Sequence, residues 1–199
     1  MQRILAIDQS LTASAAVVLK VEPDFTLSIE QQYVHSPKST GIYRLMDVAQ
    51  WVETLVRQCQ DYILVRELHN QRQFGAANQL QQVGGYIDQV AYRSGLLDED
   101  RYLLVTPGTW KKFCLGKGNV KKDTAYMMVL NKFFKKTPLL NVTQEITDDN
   151  IGDAVCLGAC GYIAYILRRD IELHDSFVTS EQRKPLVKVL ECIFNYGTR

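Results

Sequence analysis

Residues 3–8 read RILAID and residues 62–67 read YILVRE, two short apolar runs that each end in an acid. Compact runs of this length, rich in Ile, Leu and Val, predict buried strands. If the two strands lie side by side in register, Asp8 and Glu67 emerge at one sheet edge, where open α/β sheets place their ligands. Outward from the first run, residues 14–20 (SAAVVLK) and 26–34 predict two more strands. A turn over 21–25, carrying Pro23 and Asp24, joins them. Ile42, Leu45, Met46, Ala49, Val52, Leu55 and Val56 recur at helical spacing and predict an amphipathic helix over 40–59. Residues 74–94 read as a second helix in which Gly84 and Gly85 allow close packing, and 102–105 as a fifth strand closed by Pro107. Short helices follow over 107–114 and 121–134, then a core helix over 149–168 and a last helix over 181–194. Three strands in a meander followed by alternating helices and strands predict an α/β fold. Its mixed five-stranded sheet is flanked by helices on both faces, and the last two strands join in parallel.

The chain has 199 residues, with 23 Lys and Arg against 22 Asp and Glu. Its length suits one domain of roughly 150–200 residues, read as a main unit over 1–170 with a helical extension of the same domain over 171–199. Aromatic and β-branched residues run throughout, which excludes global disorder. No run approaches the roughly 18 apolar residues of a membrane span, and the N-terminus lacks signal-peptide architecture. Five scattered cysteines without a CxxC pair argue against a disulfide framework or a zinc site. A soluble, cytoplasmic protein with no membrane partner is expected. The near-neutral total hides an asymmetry: residues 107–138 hold eight lysines and one acid, Asp123, so the rest of the chain is net negative. Such a localised positive segment is expected of a phosphate-binding surface, though a lysine-rich face can also be merely solvated.

Asp149 and Asp153 stand four residues apart at the start of the core helix and share one of its faces. Asp149 can alternatively serve as the helix cap. If that helix start packs against the two strand ends, Asp8, Glu67, Asp149 and Asp153 meet in a small volume. Their mutual repulsion calls for divalent cations between them. Oxygen ligands without His or Cys suit Mg²⁺, with Mn²⁺ as a substitute, rather than Zn²⁺. Two such ions about 4 Å apart activate water and stabilise the leaving 3′-oxygen in phosphodiester hydrolysis. The lysine segment then binds the phosphates of the substrate.

Four stretches resemble the RuvC family of Holliday junction resolvases, within the RNase H-like nuclease superfamily. They are ILAIDQSLTASAAVVL (4–19), VRELHNQRQFGAANQLQQVGG (65–85), TPGTWKKFCLGKGNVKKDTAYMMV (106–129) and DDNIGDAVCLGACGY (148–162). They stand in the family's order and at its spacing. The resemblance implies that Asp8, Glu67 and Asp153 are metal ligands. It places Lys111 and Lys122 at DNA-contacting positions, with Gly116 and Gly118 between them and Lys112, Lys117 and Lys121 extending the surface. It further implies a homodimer with two Mg²⁺ ions per site that resolves four-way DNA junctions by paired symmetric nicks. Three departures stand out. Asn150 occupies a position where the family carries an acid or His, so the fourth ligand is Asn150 itself, Asp149 or Asp148. Gln9 and Ser10 replace the family's Pro and Gly. Asn70 stands where an aromatic stacks on junction bases, leaving Phe74 or His69 as its substitute. Related activities remain open: cleavage of RNA or of other branched DNA, or junction binding without chemistry. An actin-like phosphotransferase is disfavoured by the short chain and by the missing glycine after Asp8.

Overall fold

The computed structural model describes residues 2–59, 61–68, 76–97, 101–120, 122, 126–137, 139–141 and 146–168. The strands among them are β1 (Arg3–Asp8), β2 (Ser14–Val21), β3 (Leu27–His35), β4 (Ile63–Glu67) and β5 (Tyr102–Val105). The helices are α1 (Gly41–Gln58), α2 (Ala76–Arg93), α3 (Pro107–Leu115), α4 (Tyr126–Lys136) and α5 (Asp149–Arg168). The five strands form one mixed sheet in the order β3-β2-β1-β4-β5. β1–β2 and β2–β3 pair antiparallel, whereas β1–β4 and β4–β5 pair parallel. The expected mixed sheet with helices on both faces is therefore present. His69, Phe74, Lys121 and the extension over 171–199, with its helix at 181–194, lie outside the described residues.

Side chains alternate between the two faces of a strand, and this sorts the core into two halves. Ile4, Ala6, Val17, Leu19, Ile63 and Val65 face α5, together with the buried side of α3 and α4. Leu5, Ile7, Ala16, Val18 and Leu64 face α1 and α2, whose Leu45, Val48, Val52, Val83 and Ile87 are buried there. The same alternation puts Asp8 and Glu67 on the α5 side. The apolar stripe of α2 is thus packed into the core, with Val83, Ile87, Val90 and Ala91 buried.

α5 lies unusually close to the sheet because its inner face is built from small residues. A Cβ at Gly161 would come within 2.6 Å of the Val65 methyls, and one at Gly158 within 2.9 Å of the Ala6 Cβ. By length and composition Asp149–Leu167 could cross a membrane, yet it is buried inside the fold. It is the core helix that the sequence predicts over 149–168. Cys59, Cys114, Cys156 and Cys160 are buried free thiols.

Arg66, a charged residue near a strand end, is only 4% exposed. It points to the α2 side, where its Nε donates to Asp88 Oδ1 at 3.0 Å and also meets the Tyr102 hydroxyl. Gly84 makes room for it, since a Cβ there would sit 3.1 Å from the Arg66 Nη1.

Candidate active site

The C-terminal ends of β1 and β4 carry the first two acids. Ile7 pairs with Arg66 in parallel register, so the next residues, Asp8 and Glu67, stand side by side at the sheet edge. Two buried donors hold the backbone there. Gln9 Nε2 reaches the Glu67 carbonyl oxygen at 2.6 Å, and Arg66 Nη1 reaches it at 2.9 Å. The Gln9 Oε1 is left buried without a protein partner. The Gln9 side-chain amide thus supplies a hydrogen bond that a proline at this position could not.

The third acid, Asp153, lies one turn into α5 and is 3% exposed. Loss of solvation raises its carboxyl above the ordinary value, against the opposing pull of Lys122, Tyr126 and Lys111. Asp8 is pushed well above the usual carboxylate range, first by loss of solvation and then by the neighbouring Glu67, with Asp153 adding to it. Asp8 and Glu67 are therefore within hydrogen-bonding reach of each other, and Asp153 is near enough for its charge to act on Asp8.

Lys122 closes the cluster. Its Nζ donates to Asp153 Oδ2 at 2.8 Å and to Asp149 Oδ2 at 3.1 Å. Burial alone would lower the ammonium's pKa, but the hydrogen bonds and charges of Asp153 and Asp149 outweigh it and raise it. The helix cap is Asp148, not Asp149. Asp148 Oδ1 accepts the backbone N–H groups of Asn150 at 2.8 Å and Ile151 at 3.1 Å. Asp149 is thereby left to face Lys122, and Asn150 is tied to the cap through its backbone.

The remaining lysines form the approach to this edge. Lys111 sits over the Trp110 ring at 5.2 Å, close enough for its charge to act on Asp153. Lys112 and Lys117 are exposed. The two glycines between Lys111 and Lys122 have steric reasons to be there. Gly116 ends α3 in the left-handed conformation, φ 74°, with its N–H on the Lys112 carbonyl at 3.1 Å. At Gly118 a Cβ would stand 3.1 Å from the Gly108 carbonyl oxygen. The sequence reading missed Tyr126, whose hydroxyl donates to Asp153 Oδ1. A tyrosine opening an amphipathic helix reads simply as core, and nothing in its spacing singles it out.

A hard divalent cation suits this donor set, which is made of carboxylate oxygens without His or Cys. Among the described residues, however, no three such side chains surround a common point as a ready-made shell. The Lys122 ammonium stands between Asp149 and Asp153 instead.

No protein-family model matches the chain, and no curated protein matches it in sequence. Solved structures do match. The structure of Thermus thermophilus RuvC superposes with a TM-score of 0.60 at 15% identity, covering 85% of this chain and 98% of that one. The same protein in complex with a Holliday junction substrate gives 0.61 at 16% identity, covering 86% and 98%. The yeast mitochondrial Holliday junction resolvase Ydc2 gives 0.59 at 10% identity, covering 98% of this chain and 86% of that one. The chain therefore has the fold of the RuvC-type Holliday junction resolvases, the fold that its four sequence blocks imply.

Proposed function

We propose that the protein is a metal-dependent endonuclease that resolves four-way DNA junctions as a homodimer, in the cytoplasm, by paired symmetric nicks. The observation that carries this reading is the meeting of Asp8, Glu67 and Asp153 with Lys122 at one sheet edge. It is joined by the fold shared with two Holliday junction resolvases.

Asp8, Glu67 and Asp153 would hold Mg²⁺, with Asp149 as the fourth carboxylate and Asn150 beside it. When bound, the metal supplies activation of the attacking water and stabilisation of the leaving oxygen. The chain's own residues do the rest. Lys122 and Lys111 neutralise phosphates next to the scissile bond, while the exposed Lys112 and Lys117 track the flanking backbone. Glu67 is oriented through its carbonyl by Gln9 and Arg66, and this firm hold keeps the acids in place when a charged strand arrives. Selection of a junction follows from DNA shape and from the spacing of two sites in a dimer, not from base contacts.

The test is a comparison of labelled substrates with Mg²⁺ present: a four-way junction, its component duplexes and an RNA hairpin. Symmetric nicks in opposite strands of the junction, with the duplexes and RNA intact, are expected. Cleavage of the RNA with the junction untouched would contradict the assignment of substrate.

A further inference from the structure

Two donors divide the oxygens of Asp153 between them. The Tyr126 phenol donates to Oδ1, and the Lys122 ammonium takes Oδ2 at 2.8 Å. The two differ in freedom. Tyr126 opens α4 and is 2% exposed. Its helix is latched to the segment entering α5 by Asn131, whose Nδ2 donates to the Ile146 carbonyl at 2.9 Å and whose Oδ1 accepts the Ile146 N–H at 3.3 Å. Leu130 and Phe134 are buried on the same side of α4. The phenol therefore has nowhere else to go. Lys122, by contrast, has a side chain 39% exposed, on a flexible four-carbon stem that can swing to water or to a phosphate.

We propose that Tyr126 is a positioning residue for Asp153. Its fixed hydrogen bond to Oδ1 reserves Oδ2 for a cation, and Lys122 holds that oxygen until a divalent metal replaces it. The inference rests on the metal-dependent nuclease reading above. It assigns a role to a tyrosine that would otherwise be a core residue with a satisfied hydroxyl. Partners that orient a metal ligand in this way commonly contribute about 10–100-fold to metal affinity.

The experiment is a calorimetric titration of Mn²⁺ into the DNA-free full chain, for wild type, Tyr126→Phe, Lys122→Gln and Tyr162→Phe. Tyr162 is a buried tyrosine further along α5 and serves as the packing control. Tyr126→Phe keeps the ring and is expected to weaken Mn²⁺ binding by at least about 10-fold. Tyr162→Phe should bind as wild type does. Lys122→Gln, which removes the competing ammonium, should bind Mn²⁺ more tightly than wild type, and this arm stands even if Tyr126→Phe folds poorly. Wild-type affinity in Tyr126→Phe, or unchanged or weaker binding in Lys122→Gln, would overturn the proposal while leaving the nuclease reading intact. A wild type that binds no Mn²⁺ would overturn the metal reading, and the inference with it.

Discussion

Asp148 accepts two backbone N–H groups at the start of α5, while Asp149 accepts the Lys122 ammonium. Sequence assigns both acids to a helix start but not which of them caps it, because that depends on the direction in which the chain enters the helix. The two employments are separable by mutation. Asp148→Ala should lower stability by about 1 kcal/mol, seen as a melting-point drop of roughly 2–4 °C, with metal-dependent cleavage largely kept. Asp149→Asn should leave the melting point nearly unchanged and weaken cleavage. The reverse pattern in melting and cleavage assays would exchange their roles. The ion pairs of Lys122 and the hydrogen bond of Tyr126 escaped the sequence for a related reason. The partner of a lysine or a buried hydroxyl is chosen by what packs against it, and Asp153 reaches both only through the juxtaposition of α4 with α5.

At the scale of elements, most of the architecture was legible. The apolar period distinguishes strands from helices, and the observed β1, β4, β5 and α5 lie within a residue or so of their sequence expectations. Arg66 is the instructive exception. A charge inside an apolar strand reads as exposed, and its burial is tolerable only because Asp88 and Tyr102 pair with it and Gly84 leaves room. α5 carries the heaviest demand, since it must lie flat on β1 and β4 to bring Asp153 to Asp8 and Glu67. Gly161→Ala tests that contact. The added methyl would meet Val65 at 2.6 Å, and overpacking of this kind costs about 1–3 kcal/mol. The variant should melt lower and cleave more slowly, because α5 must lift away from the sheet. Unchanged stability in a thermal melt would show that the helix is not held as closely as described.

For the whole molecule, the sequence leaves no family match while the fold aligns with RuvC and Ydc2 at 10–16% identity. The physical reason is that many sequences satisfy an apolar period and a small-residue helix face, whereas the chemistry needs only a few acids at the ends of fixed elements. Those acids were legible because strand ends and a helix start fix their placement. The ion pairs of Lys122 with two of those acids and the hydrogen bond of Tyr126 were not. The most direct measurement is cleavage of a four-way junction by wild type and Asp8→Asn, with Mg²⁺ and with the metal chelated, alongside junction binding under the same conditions. Metal-dependent paired nicks by wild type are expected, with Asp8→Asn losing cleavage but still binding the junction. Cleavage that survives in Asp8→Asn, or that proceeds equally well after chelation, would contradict the account.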